Sequence, residues 1–151
     1  MTTGSVRLEP APGRESLVPL LLEADEEPVL RRYLYDGDLY RIVVDGVEVG
    51  AVLLIREADG LEIKNIALAE AYRGRGLGRA TIEAVAALAR RSGAIRLLVG
   101  TSDNSPGTIA FYRRVGFRDA GRIEGFFDEY PEPVVEDGVV AHDMVRFEMP
   151  L

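Results

Sequence analysis

The spacing of hydrophobic and polar positions changes several times along the chain, and each change marks an element. Leu17, Leu20, Leu21 and Ala24 recur at helical spacing, so helices are expected at about Glu15–Ala24 and Glu26–Leu34. Ser5–Glu9 alternates like a short strand. After the Asp36-Gly37 turn, Leu39–Val44, Val47–Arg56 and Leu61–Leu68 read as three strands. Asp45-Gly46 is a strong hairpin signal and Asp59-Gly60 a further turn, so these strands form an antiparallel meander. Arg79–Arg91 reads as a helix with Ile82, Val85, Ala86 and Ala89 on one face and Gly93 past its end. An apolar strand at Ala94–Val99 and a helix at about Thr108–Val115 follow, then strands at Phe117–Ile123 and Val139–Glu148. Between those last two lies EGFFDEYPEPVVEDG, whose aromatics, prolines and acids read as a functional loop.

Composition narrows the chemistry. With 151 residues, 47% hydrophobic and 28% charged, the chain reads as one domain over residues 1–151. It has no cysteine, which excludes disulfides, iron–sulfur clusters and thiol nucleophiles. With His142 as its single histidine, no metal site is expected. A net charge of −7 argues against nucleic acid and leaves room for cationic substrates. The opening MTTGSVRLEP lacks the apolar core of a signal peptide, and Ala51–Ile55 is too short to span a bilayer, so a cytoplasmic protein with no membrane partner is expected. His142 and Asp143, as neighbours on a strand, point to opposite faces, which disfavours a catalytic triad.

YRGRGLG, at Tyr72–Gly78, stands between an apolar strand and a helix. No Gly-Lys-Ser/Thr follows, so it is not a Walker A loop, and the dinucleotide fingerprint fails from both Gly74 and Gly76. What remains is a strand end, a loop of backbone N–H groups and a helix N-terminus, which together can cradle a pyrophosphate. Gly76 and Gly78 would admit phosphate oxygens, and Arg73, Arg75 and Arg79 would add positive charge. A plain turn with solvated arginines is the alternative.

Arg73-Gly74-Arg75-Gly76-Leu77-Gly78 matches in full the Arg/Gln-x-x-Gly-x-Gly/Ala motif of the GNAT superfamily of acyl-CoA-dependent N-acyltransferases. EIKNIAL resembles that family's central strand, and IAFYRRVGF its second CoA-contacting helix. The resemblance implies an α/β (α+β) fold: a central mixed, mostly antiparallel twisted sheet of about seven strands with helices on both faces. It further implies that the fourth and fifth strands splay apart. The pantetheine arm would then pair with the backbone of Ile66, Ala67 and Leu68, and the pyrophosphate would rest on Gly74, Arg75, Gly76, Leu77, Gly78 and Arg79. Acetyl-CoA is the implied co-substrate.

Acyl transfer to an amine needs a base for the amine and an acid for the leaving thiolate. Glu62 matches the catalytic glutamate of the histone-acetyltransferase branch and would act directly or through a water. Leu98 stands where the ribosomal-protein N-terminal acetyltransferases carry theirs. Tyr112 matches the tyrosine that protonates the thiolate. Asn104 and Ser105 compete for the position of the CoA-contacting asparagine. The loop between the sixth and seventh strands, which walls the acceptor side in this family, has six carboxylates from Glu124 to Asp137 and no lysine or arginine. Phe127, Asp128, Glu129 and Tyr130 are its candidate acceptor contacts, for a cationic small-molecule or peptide amine. Protein N-terminal acetylation and a non-catalytic acyl-CoA sensor are the competing functions, and a homodimer is left open.

Overall fold

The computed structural model describes residues 5–151; residues 1–4, part of the opening stretch read above, lie outside the described residues. The strands are β1 (Val6–Pro10), β2 (Asp38–Val44), β3 (Val47–Glu57), β4 (Gly60–Leu68), β5 (Arg96–Ser102), β6 (Arg118–Ile123), β7 (Val135–Glu136), β8 (Val139–Val140) and β9 (Met144–Pro150). The helices are α1 (Val18–Leu21), α2 (Glu27–Tyr33), α3 (Leu77–Arg91) and α4 (Pro106–Arg114). Seven strands form one sheet in the order β1-β2-β3-β4-β5-β9-β6, and β7 and β8 make a separate hairpin. Only β4 and β5 pair in parallel, across the α3 crossover that such a connection requires.

The two sheet faces bury different helices. Leu61 and Ile63 of β4 pack with Ile82, Val85, Ala86 and Ala89 of α3, Tyr112 of α4 and Phe147 of β9. On the other face Ala51 and Leu53 meet Leu17, Leu21, Leu30 and Leu34. The apolar stripes expected for the helices are therefore largely the buried ones, although Ala24 is exposed.

Pairing between β4 and β5 runs only from Gly60↔Arg96 to Ile63↔Val99. On its other side β4 carries a bulge: Leu54 faces Ile63 but Leu53 faces Asn65, so Lys64 is the extra residue. A bulge bends its strand and sharpens its twist. It falls where β4 leaves β5, and it accounts physically for the divergence of Lys64–Leu68 from Gly100–Ser102.

Several boundaries differ from the sequence reading. The first expected helix is a 3-10 turn at Glu15–Leu17 followed by a single α turn, with Pro19 at its start. The β3–β4 loop is Ala58-Asp59, with Ala58 at φ 52°, and Gly60 lies inside β4. A Cβ on Gly60 would come within 3.1 Å of the Arg96 and Leu98 side chains, a tight fit. The last expected strand is interrupted at residues 141–143. The aromatic and acidic segment folds into a 3-10 turn, Phe126–Glu129, and the β7–β8 hairpin, whose Asp137 and Gly138 have φ 50° and 78°. Among the described residues no helix is long and apolar enough to cross a membrane.

Candidate active site

The glycine loop follows a 3-10 turn at Glu70–Tyr72 and runs into α3. Gly74 and Gly76 have φ 73° and 79°, a left-handed conformation that costs a residue with a Cβ about 1–2 kcal/mol. Gly76 caps α3 with no side-chain hydrogen bond, so the first N–H groups of the helix stay available to a ligand. Gly78, expected to admit phosphate oxygens, instead lies against α4: a Cβ there would sit 3.1 Å from Phe111 Cζ, a tight contact. Leu68, Gly74, Gly76, Arg79 and Arg114 border a groove of about 360 Å³ here.

The arginines are positioned rather than loose. Arg73 donates from Nε to the Leu68 carbonyl at 3.1 Å and from Nη2 to Glu23 at 2.7 Å, tying the loop to the end of β4 and to the segment after α1. Arg79 Nη2 donates to the Arg114 carbonyl at 3.1 Å, and the Arg75 guanidinium lies 5.5 Å from the Tyr72 ring centre. Left-handed glycines, an uncapped helix start and this arginine set fit a diphosphate.

A second cavity, of about 350 Å³, opens where β4 and β5 part. Glu62 projects into it with its side chain 16% exposed. Burial raises the Glu62 pKa above the usual carboxylate range, Lys64 pulls it back, Glu57 adds to the rise, and Arg146 lowers it. Arg146 Nη2 stands 4.0 Å from Glu62 and 3.4 Å from Glu57. The opposite wall carries Glu23, Asp25 and Glu26 from the α1–α2 connection. Asp25 accepts hydrogen bonds from the Tyr33 hydroxyl at 2.8 Å and the Tyr130 hydroxyl at 2.9 Å. Burial, and then the Asp25 charge, push both phenols up. Asn65 Nδ2 braces this cluster by donating to Tyr33 Oη and the Leu21 carbonyl, each at 3.0 Å.

These wall residues, Glu23, Asp25, Glu26 and Tyr33, were not among the sequence candidates; the run Ala24-Asp25-Glu26-Glu27 before α2 was the available signal. Of the four expected acceptor contacts, Phe127 and Tyr130 line the cavity, their rings 5.0 Å apart. Asp128 and Glu129 do not line it. Asp128 instead holds His142 Nδ1 at 2.7 Å and raises the imidazole above its ordinary value.

Tyr112 is 5% exposed, with its ring edge-on to Phe111 and Phe117 at 5.4 Å. Its hydroxyl has no hydrogen-bond partner among the described residues, yet it is not sealed off: the one fully buried side-chain polar atom without a partner there is Asn65 Oδ1. Burial pushes the phenol up to about 12. Asn104 and Ser105 are both buried, and their polar atoms face the β7–β8 hairpin. Asn104 Nδ2 donates to the Val139 carbonyl at 2.8 Å and the Val134 carbonyl at 3.3 Å, while Ser105 Oγ bonds Glu136 at 3.0 Å. In this conformation both residues fasten the hairpin. His142 and Asp143 lie outside any strand, and their amides both donate to Asp103.

A groove at the glycine loop whose geometry fits a diphosphate, and a carboxylate-bearing cavity joined to it by one strand whose edge is free, match the layout of a CoA-dependent acyltransferase. Residues 10–117 match the Acetyltransferase (GNAT) family, and the chain belongs to it. It is 29% identical over 140 residues to the uncharacterized N-acetyltransferase YvbK of Bacillus subtilis, spanning 91% of this chain and 90% of that protein. A GNAT family acetyltransferase from Elizabethkingia anophelis, solved with acetyl-CoA bound, superposes with a TM-score of 0.89 at 32% identity, over 97% of this chain and 99% of that one. The IAA acetyltransferase from Bacillus cereus gives 0.86 at 33% identity, over 97% and 100%. A Bacillus subtilis acetyltransferase in complex with CoA gives 0.86 at 28%, over 98% and 99%. The protein is an acyltransferase, and acetyl-CoA is its co-substrate.

Proposed function

We propose that this enzyme transfers the acetyl group of acetyl-CoA directly to a primary amine of a small, cationic acceptor in the cytoplasm. The observation that carries the reading is the character of the cavity at the β4–β5 splay. It joins a half-dry carboxylate, Glu62, to a rim of Glu23, Asp25 and Glu26 and to the rings of Tyr33, Phe127 and Tyr130. Such a wall attracts ammonium groups and gives them aromatic faces.

In this reading Ile66–Leu68 pair with the pantetheine arm along the free edge of β4, and the Gly74–Arg79 loop takes the pyrophosphate. Acetyl-CoA supplies the activated thioester. Glu62, directly or through a water, takes the proton from the acceptor ammonium, and its raised pKa suits that task. Tyr112, kept neutral by burial, gives a proton to the departing sulfur. The new C–N bond replaces the C–S bond with no enzyme-bound acyl group, which suits a chain without cysteine. Asp128 acts indirectly, by fixing the 3-10 turn that carries Phe127 through its bond to His142.

Thiol release measured across mono-, di- and polyamines, neutral amines and amino acids, at low and high salt, tests this reading. A multiply cationic acceptor should rank first, and its KM should rise with ionic strength while that of acetyl-CoA moves less. A neutral or anionic best acceptor would end the cationic reading.

A further inference from the structure

The chain contains 18 lysines and arginines, and Lys64 is its one lysine. That lone side-chain amine lies in the acceptor cavity. Lys64 is the bulged residue of β4, at the point where the strand leaves β5, and its side chain lines the same cavity as Glu62, Gly100 and Thr101. Its Nζ lies 5.2 Å from the Tyr33 ring centre, and no carboxylate comes within ion-pair distance among the described residues. A single cation–π contact of this kind is weak, so it parks the ammonium without locking it.

We infer that Lys64 is an internal acceptor, acetylated by the enzyme's own site when acetyl-CoA is bound and no amine occupies the cavity. The inference rests on the reading of this cavity as the acceptor site. An ammonium has no lone pair, so Nζ first loses a proton to Glu62, directly or through a water. It then attacks the thioester carbonyl carbon. The N–C bond forms and the C–S bond breaks, and the sulfur leaves as the CoA thiol with a proton from Tyr112. The second Nζ proton passes through water to the Tyr112 phenolate, so that the product is Nζ-acetyl-lysine, the phenol is restored and Glu62 holds the one proton released overall. The four-carbon stem lets Nζ swing from the Tyr33 ring toward the splay.

Acetylation would silence the site in three ways. It places an acetyl group where the acceptor sits. It ends the ammonium's contact with Tyr33. It removes the positive charge that opposes the rise of the Glu62 pKa, so less of the base is ionised at neutral pH. The enzyme would thus lose activity under abundant acetyl-CoA and scarce acceptor, and an occupying amine would protect it.

The test incubates the folded full chain with acetyl-CoA alone, cleaves after arginine, and weighs the peptide spanning 57–73, which carries Lys64 away from the chain's α-amine. A gain of one acetyl group on that peptide is expected, about 10²-fold faster than in the same chain unfolded in denaturant, and slowed by an added polyamine. Residual activity should fall in step with the modification, and a Lys64→Arg chain should keep its own starting activity through the same incubation. An unmodified Lys64, or equal modification of folded and unfolded chains, overturns the inference. A Glu62→Gln arm separates the two readings. Acetylation that is specific to the folded chain but unchanged in this variant upholds Lys64 as acceptor and removes Glu62 as base. Thiol release with external amines judges the acceptor reading independently.

Discussion

Replacing Tyr112 by Phe removes one oxygen and leaves the ring packing against Phe111, Phe117 and Phe147 in place. The hydroxyl has no protein partner among the described residues, so stability at neutral pH should change by no more than about 0.5 kcal/mol. If the phenol is the general acid, kcat should fall about 10²–10⁴-fold, with the acetyl-CoA dissociation constant nearly unchanged. The structure adds a second signature. Burial lifts the phenol from 10 to about 12, which corresponds to about 3 kcal/mol in favour of its neutral form. A folded pKa above the unfolded value means that this contribution is complete below pH 10 and is lost between pH 10 and about 12. Wild type should therefore lose about 3 kcal/mol relative to Tyr112→Phe across that window, with Tyr33 and Tyr130 common to both chains. Steady-state kinetics and urea melts at stepped pH measure the two effects. A kcat within a few-fold of wild type would reduce Tyr112 to a packing residue, and parallel stability curves would refute its burial.

Three further outcomes follow from other parts of the site. Glu62→Gln should abolish the acidic limb of the pH–rate profile, which in wild type lies above the ordinary carboxylate range. Because the folded pKa is raised, the carboxylate disfavours folding once it ionises, so the variant should be at least as stable as wild type at neutral pH; a superimposable pH profile would exclude Glu62 as base. Gly76→Ala should cost about 1–2 kcal/mol from its left-handed backbone and weaken acetyl-CoA binding by calorimetry, and unaltered binding by a folded variant would count against the loop as the pyrophosphate site. Asn104→Ala should cost about 0.5–1.5 kcal/mol in thermal melts by removing its hydrogen bonds to the Val139 and Val134 carbonyls, the second of which keeps the Ala141 N–H as a donor, and a wild-type melt would show that the hairpin holds without it.

What the sequence disclosed was local chemistry. Asp45-Gly46 had to be a tight turn, and both residues take positive φ, at 51° and 77°. Gly76 and Gly78 read as glycines that let a ligand approach the backbone; Gly76 takes φ 79°, whereas the space beside Gly78 is occupied by Phe111. The turn signals with the apolar runs between them marked β2, β3 and β4. What stayed hidden depends on residues far apart in the chain. The acid rim of the cavity joins Asp25, on the α1–α2 connection, to Tyr130 across 105 positions. The Lys64 bulge has no sequence mark, since it arises from how β4 registers against β3. Asn104 and Ser105 read as candidate cofactor contacts, but their partners in the β7–β8 hairpin are 30 or more residues away, and no spacing rule points to them. Asp128 looked like an acceptor contact because the acids nearby in sequence were counted together; the 3-10 turn at Phe126–Glu129 directs it to His142 instead.

In the proposed reading one co-substrate spans the free edge of β4 and the glycine loop. Amide hydrogen exchange with and without saturating acetyl-CoA tests it most directly. Protection should appear together in Ile66–Leu68 and in Gly74–Arg79, with little change at the β7–β8 hairpin. Binding that protects the hairpin or the β6 edge, while leaving the glycine loop exchanging as in the free protein, would place the co-substrate elsewhere on the sheet.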